Sequence, residues 1–313
     1  MKEDLRRPKY TCSRLIMTWL PVVFCLLLFA ESDAQMVPQY PSPMQEGVRA
    51  HVRVPRDSVQ KQIIEIEAGL PQKVILYISR MVEDADSLRL LIHFHGAAFV
   101  PVYAAEKDAR PWVVLSAHLG GGSSTYERPF TDEKIFPALI QIITDSVSAR
   151  LDRPCTFSHI YLSGFSAGYG AICALLQQPD ALQKVDGIVL MDGLHTDYVP
   201  DRVVLAEGGK VNSEKLTPFL TFAQMALNSK KTFLFTHSEI FPGTYASTTE
   251  CADFLVERLQ VSRQAVLKWG PLGMQQISEA TAGKFSIRGF AGNTAPDHVD
   301  HYHALFDLLS MLD

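Results

Sequence analysis

Short apolar runs alternate with longer stretches of mixed polarity along most of the chain. The apolar runs are rich in β-branched and aliphatic residues and predict buried strands; they lie at 73–79, 88–95, 111–117, 157–162, 185–191, 232–236 and 285–289. Between them, apolar residues at helical spacing predict a helix over 133–149, and the segments 214–228, 249–268 and 301–312 also favour helices. Strands that alternate with helices predict an α/β domain with a doubly wound, mostly parallel sheet flanked by helices.

The beginning of the chain has a different pattern, which predicts a signal peptide over residues 1–34. A basic segment precedes an apolar stretch, and Ser32-Asp33-Ala34 then offers a small-x-small cleavage site. The apolar stretch is interrupted by Pro21 and is shorter than the roughly 20 residues of a membrane span. We therefore expect a secreted or periplasmic protein, cleaved after Ala34, with no stable membrane insertion afterwards. Three prolines predict a linker over 35–47, and the remaining residues, 48–313, predict one domain.

Charge and cysteine content narrow the class of protein further. The chain has 29 Lys and Arg against 34 Asp and Glu, a net charge of −5. This weakly acidic balance is typical of a soluble protein and gives no sign of a nucleic-acid partner. Three cysteines follow the predicted cleavage site, Cys155, Cys173 and Cys251. An odd number argues against a full disulfide framework, although one pair remains possible.

The pentapeptide Gly164-Phe165-Ser166-Ala167-Gly168 is the strongest chemical signal. It follows the apolar run at 157–162 and precedes a helix-favouring segment at 169–176. A G-x-S-x-G between a strand and a helix forms a nucleophile elbow, a tight turn that presents the serine hydroxyl at the carboxyl edge of the sheet. The sequence therefore predicts that Ser166 is a nucleophile.

Two further segments extend this pattern. His93-Phe94-His95-Gly96 closes the apolar run at 88–95, and the histidine-rich segment 297–303 follows the last apolar run. Together with the elbow, the His95-Gly96 step and a late histidine resemble the α/β-hydrolase superfamily, in particular secreted bacterial esterases of the polyhydroxybutyrate-depolymerase and feruloyl-esterase kind. The resemblance covers about 70–313. It implies a serine hydrolase that needs no metal or organic cofactor and acts on a small-molecule or polymer ester.

The same resemblance implies roles for individual residues. The backbone N–H groups of Ala97 and Ala167 would bind the oxyanion of the tetrahedral intermediate. The base would come from the late segment, where His298 lies at the predicted boundary between the loop and the last helix. His301 is the second choice, and it would lie with His303 on the first turn of that helix, where backbone N–H groups disfavour an imidazolium.

Two carboxylates compete for the acid of the triad, which should lie between the serine and the late histidines. Glu239 follows the apolar run at 232–236, in a segment that resembles a shortened acid loop of related esterases. Asp192 directly follows the run at 185–191, and some lipase-type folds place the acid there. Either carboxylate could accept the imidazole Nδ1–H and stabilise the imidazolium. The sequence favours Glu239 and leaves Asp192 open.

Three other functions remain open on the sequence alone. The same triad could hydrolyse an amide or a peptide. The histidines at 93, 95, 195 and 298–303, together with Asp192, suggest a metal-dependent hydrolase, but Ala97 breaks the His-x-His-x-Asp ligand pattern. A binding protein could also have kept the hydrolase fold without its catalysis.

Overall fold

A ten-stranded sheet forms the centre of the part of the chain that the structure describes, residues 54–55 and 63–312. The structure is a computed structural model. The sheet contains β1 (Ile63–Ile66), β2 (Val74–Ile78), β3 (Leu88–Phe94), β4 (Trp112–Ala117), β5 (Phe157–Phe165), β6 (Gly187–Met191), β9 (Thr232–His237), β10 (Gln264–Trp269), β11 (Gln275–Ala282) and β12 (Phe285–Phe290). Strands β7 (Tyr198–Val199) and β8 (Lys210–Val211) form a separate small ribbon. The predicted signal peptide and linker lie outside the described residues.

The order of the strands is β1-β2-β4-β3-β5-β6-β9-β12-β11-β10. Every neighbouring pair from β4 to β12 is parallel, whereas the two ends of the sheet are antiparallel. Strand β4 is buried along its whole length, which is typical of a parallel sheet covered on both faces. The prediction of a doubly wound, mostly parallel sheet is confirmed.

Helices cover both faces of the sheet. They are α1 (Phe99–Lys107), α2 (Ser123–Glu127), α3 (Ile135–Leu151), α4 (Tyr169–Leu176), α5 (Pro179–Lys184), α6 (Thr217–Leu227), α7 (Thr248–Leu259), α8 (Ala295–His303) and α9 (Leu305–Leu309). Side chains of α3, α4, α6 and α7 pack on one face, and those of α1, α8 and α9 pack on the other. Alternate residues of β3 belong to the two layers, Leu90 and Ile92 to the first and Leu91 to the second.

The prediction of one helix over 249–268 is wrong in its second half. Helix α7 ends at Leu259, and Gln260 takes a left-handed conformation with φ 55° that terminates it. The chain then forms β10, which pairs antiparallel with β11. Nearly all of β10 is exposed, so its side chains lack the alternation of buried and exposed positions that identifies a half-buried strand.

The last helix begins six residues earlier than the sequence pattern predicts. Asp297 Oδ2 accepts hydrogen bonds from the backbone N–H of Thr294 at 2.9 Å and from its hydroxyl at 2.6 Å, and Pro296 occupies the first turn. This arrangement starts α8 at Ala295. His298, predicted at the loop-to-helix boundary, therefore lies inside the helix at the end of its first turn.

Two further properties follow from the described residues. They contain no helix that is both long enough and apolar enough to cross a membrane. The thiols of Cys155, Cys173 and Cys251 are all buried and free, so the cysteine pair that the sequence left open is not formed.

Candidate active site

The carboxyl ends of β3 and β5 lie side by side where the winding of the sheet reverses. The chain passes from β3 to β4 on one side and later returns to β5 on the other, and Phe94 pairs with Gly164 across the two strands. In open α/β sheets such a switch point leaves a crevice in which ligands bind. The topology therefore brings together the turn that contains Ala97 and the elbow that contains Ser166.

The elbow has the strained and crowded geometry that its sequence predicts. Ser166 has a φ of 46°, a left-handed conformation that costs a non-glycine residue about 1–2 kcal/mol. Two glycines let neighbouring backbones close around it: a Cβ on Gly168 would lie 2.2 Å from the Phe94 carbonyl oxygen, and one on Gly193 would lie 2.3 Å from the Ser166 carbonyl oxygen. The turn 166–168 leads directly into α4, so Ser166 and Ala167 lie half-buried at a helix N-terminus.

Asp192 is a buried carboxylate held by four hydrogen bonds. It directly follows β6 and has a φ of 41°. Its oxygens accept from the Ser238 N–H at 2.9 Å, the Ser238 hydroxyl at 2.7 Å, the Thr248 hydroxyl at 2.7 Å and the His298 Nδ1–H at 2.6 Å. Burial alone would raise the pKa of Asp192, but His301, His298 and the Ser238 N–H together hold it well below the ordinary value. Asp192 is therefore an ionised acceptor.

His298 is the imidazole that Asp192 orients. Because the carboxylate can only accept, Nδ1 carries the proton in this bond, and in the neutral ring the lone pair is then on Nε2. The ring lies 4.6 Å, centroid to centroid, from the ring of Phe165, the residue that precedes Ser166. A buried carboxylate thus orients the His298 ring, and that ring packs beside the residue that precedes Ser166.

The other candidates for acid and base make different contacts. Glu239 is exposed, and its carboxylate accepts from the Gly292 N–H at 3.3 Å. The amide and the hydroxyl of Ser238 both donate to Asp192, whereas the side chain of the next residue, Glu239, lies at the surface. His301 is buried, and its Nδ1 is 2.9 Å from the Thr236 hydroxyl. The structure therefore joins Asp192 to His298 and places Glu239 and His301 in other contacts.

The two residues before Ala97 shape the turn that follows β3. His95 and Gly96 both have positive φ values, 72° and 107°. The N–H of His95 donates to the Ala117 carbonyl at 3.0 Å, and that of Gly96 donates to His118 Nδ1 at 3.2 Å. The next amide along the turn is that of Ala97, which lies half-buried across the switch point from Ala167.

Two buried histidines hold this turn in place. His93 donates from Nε2 to the His95 carbonyl at 2.7 Å and accepts from the Ser163 hydroxyl at Nδ1 at 2.8 Å. His95 Nδ1 is 2.8 Å from the Tyr126 hydroxyl. Burial lowers the pKa of His93 and of His95 to about 3, so both are neutral at pH 7. Their contacts indicate a structural role.

Three residues with clear positions at the site were missed from the sequence. Ser238 and Thr248 hold the Asp192 carboxylate, and the Tyr302 hydroxyl donates to the Ala97 carbonyl at 2.6 Å. The Tyr302 ring also stacks on His93 and Phe165. Tyr302 follows His298 by four residues, so a helix over 295–303 would have placed the two side chains on one face. Ser238 and Thr248 have no comparable local signal.

The described part of the chain does not support the metal-dependent alternative. No group of three or more His, Cys, Asp and Glu side chains there is arranged to hold a metal ion. The residues of the metal hypothesis make other contacts: His93 and His95 fix the turn, and His195 bonds through Nδ1 to the Ala246 carbonyl at 3.0 Å.

The comparison with known proteins found similarity to solved structures only. No protein-family model and no curated protein matches the sequence. Among solved structures, Est1E from Butyrivibrio proteoclasticus has 12% identity and a TM-score of 0.40, over 80% of this chain and 99% of that one. A bifunctional GH43-CE protein from Bacteroides eggerthii has 15% identity and a TM-score of 0.45, over 79% of this chain and 38% of that one. A Mycobacterium tuberculosis puromycin-hydrolyzing peptidase has 12% identity and a TM-score of 0.44, over 84% and 42%. This chain thus spans less than half the length of the last two.

The order of the strands and the position of the serine elbow determine the class of fold. The parallel order β4-β3-β5-β6-β9-β12, the reversal of winding between β3 and β5, and the serine elbow after β5 define the α/β-hydrolase fold. The fold predicted from the sequence is confirmed.

Proposed function

We propose that this protein is a serine hydrolase that cleaves a carboxylic ester through an acyl-enzyme on Ser166. The observation that carries the proposal is the 2.6 Å hydrogen bond from His298 Nδ1 to the buried carboxylate of Asp192, beside the strained elbow. In this assignment Asp192 is the acid, His298 is the base, and Glu239 and His301 have no part in the triad.

The first half of the reaction forms the acyl-enzyme. His298 Nε2 takes the proton of the Ser166 hydroxyl as the oxygen attacks the ester carbonyl, and Asp192 stabilises the resulting imidazolium. The N–H groups of Ala97 and Ala167 bind the oxyanion, and loss of one such donor typically costs about 10²–10³-fold in kcat. The imidazolium then protonates the leaving alkoxide as the C–O bond breaks.

The second half releases the acid. Water attacks the acyl carbonyl while His298 Nε2 accepts its proton, and the same two amides bind the new oxyanion. Collapse of the intermediate returns the proton to the Ser166 oxygen and frees the carboxylic acid. The reaction needs no organic cofactor or metal ion.

The finer assignments in this proposal rest on the sequence. The preference for esters over amides, and the relation to polyhydroxybutyrate-depolymerase and feruloyl esterases, derive from the resemblance of the elbow, the His95-Gly96 step and the late histidine. Export likewise rests on the predicted signal peptide. N-terminal sequencing of protein recovered from the medium or the periplasm should begin at Gln35; an uncut N-terminus would contradict cleavage after Ala34.

Labelling with a fluorophosphonate probe tests the nucleophile directly. The folded wild-type protein should be labelled on Ser166 and should hydrolyse short-chain nitrophenyl esters with or without a chelator. Ser166→Ala should lose the label and at least about 10³-fold in kcat/KM, whereas Ser124→Ala, at an exposed serine of α2, should behave as the wild type. Absence of labelling would support the non-catalytic binding protein, and activity lost to the chelator would support the metal-dependent hydrolase.

A further inference from the structure

His195 is a half-buried histidine beside the elbow that the proposed mechanism does not use. It follows Gly193 by two residues, and a Cβ on that glycine would lie 2.5 Å from the Ser166 backbone nitrogen. Its ring makes T-shaped contacts with two tyrosines. The distance between ring centroids is 5.9 Å to Tyr169, at the start of the helix after the elbow, and 5.0 Å to Tyr245. The imidazole therefore contacts both tyrosines, two residues after the point where Gly193 packs against the backbone of Ser166.

The hydrogen bonds of this ring fix its chemical character. Nδ1 is 3.0 Å from the Ala246 carbonyl oxygen, and because a carbonyl only accepts, Nδ1 carries the proton. Nε2 then carries a lone pair, and it has no hydrogen-bond partner among the described residues. Burial lowers the pKa of His195, so the lone pair is kept at neutral pH.

A neutral acceptor at this position complements the other groups around the nucleophile. The amides of Ala97 and Ala167 are donors and suit the carbonyl oxygen of a substrate. An acceptor such as Nε2 instead suits an O–H or N–H group, and with no substrate bound it would be satisfied by water. The ring is held by the hydrogen bond from Nδ1 and by its contacts with the two tyrosines.

We propose that His195 is a substrate-positioning residue whose Nε2 accepts a hydrogen bond from a hydroxyl or N–H group close to the scissile carbonyl. The preferred substrates are then esters that carry such a donor, rather than their analogues without it. This inference rests on the proposed function of Ser166. A site that hydrogen-bonds a substrate group discriminates against the analogue that lacks it, because the bound analogue displaces water from the acceptor without replacing the hydrogen bond.

Matched pairs of esters test the proposal on either side of the scissile bond. Ethyl lactate against ethyl propionate places the hydroxyl in the acyl group, and 2-hydroxyethyl propionate against propyl propionate places it in the alcohol. The wild type should prefer the hydroxyl-bearing ester in at least one pair. His195→Phe keeps a ring between the tyrosines but has no acceptor, and it should lower that preference roughly 3- to 10-fold. His195→Gln retains an acceptor oxygen and should keep part of the preference.

The outcomes separate this proposal from the one on which it rests. Equal effects of His195→Phe on both members of each pair would show that His195 only holds its loop, and would overturn the proposal. So would a wild type without preference in either pair while the fluorophosphonate still labels Ser166. If Ser166 is not labelled and neither member of any pair is hydrolysed, the serine hydrolase itself is refuted and this proposal falls with it.

Discussion

At the scale of single residues, hydrogen bonds distinguish the two carboxylates that the sequence leaves open. Asp192 is 2% exposed and bonded to His298, whereas Glu239 lies at the surface. We expect Asp192→Asn to lower kcat for ester hydrolysis by roughly 10³–10⁴-fold, because the amide no longer fixes the tautomer or stabilises the imidazolium. Glu239→Gln, the matched change, should leave kcat within about twofold. A large loss of kcat in Glu239→Gln and a small loss in Asp192→Asn would instead assign Glu239 as the acid of the triad.

The crowding of backbones around the elbow gives a second residue-scale prediction. Gly193→Ala would place a Cβ 2.3 Å from the Ser166 carbonyl oxygen, so one of the two backbones must move. Displacing a nucleophile by about 1 Å can cost 10²-fold in rate, and overpacking typically costs about 1–3 kcal/mol in stability. We expect both kcat/KM and the urea midpoint to fall. Gly121→Ala is the control, since nothing lies within 4 Å of its added Cβ. Equal behaviour of the two variants would show that the close packing of Gly193 on Ser166 is not needed.

At the scale of elements, helix α7 carries Thr248 to the Asp192 carboxylate. Its N-cap is Ser247, whose hydroxyl accepts from the Glu250 N–H at 3.1 Å while Glu250 accepts from the Ser247 N–H at 2.7 Å. Ser247→Ala should lower the free energy of unfolding by about 1 kcal/mol, measured by urea denaturation. Because the first turn of α7 would also loosen, kcat should fall. Ser310→Ala, at an exposed residue after the last helix, should change neither quantity; unchanged stability in Ser247→Ala would refute the cap.

The elements also show why the sequence predicts some features and misses others. Strand β4 is apolar because both of its faces are buried, and such runs can be recognised one by one. Strand β10 is exposed at the edge of the sheet and gives no such signal. The helix start at Thr294 could have been found from its Thr-x-x-Asp pattern. The choice of Asp192 over Glu239 could not have been made from the sequence, because it depends on a contact with His298, which lies 106 residues away along the chain.

At the scale of the whole molecule, the fold keeps several buried histidines neutral at the carboxyl ends of the parallel strands. Burial lowers the pKa of His93 and of His95 to about 3, and burial together with the charge of Arg263 lowers that of His237 to about 4. His237 lies between Thr249 and Arg263, and its Nε2 accepts from the guanidinium at 3.1 Å. A proton on Nε2 of His237 would break its hydrogen bond with Arg263, which can only donate, and a proton on His93 or His95 would place a charge in a buried site.

These histidines predict that the protein becomes less stable as the pH falls below about 6.5. Their pKa values in the folded protein, about 3 to 4, lie under the unfolded value of 6.5. Between those limits the unfolded chain binds more protons than the folded protein. The free energy of unfolding therefore decreases as the pH is lowered, by up to about 1.4 kcal/mol per pH unit for each histidine. Above pH 7.5 the effect is absent. The lowered pKa of Asp192 acts in a separate window, because the stability it contributes is lost only below about pH 3.8. Urea unfolding at pH 7.5, 6.0, 5.0 and 4.5 should show the decline, and His93→Gln should make it shallower; an unchanged slope in that variant would remove His93 from the explanation.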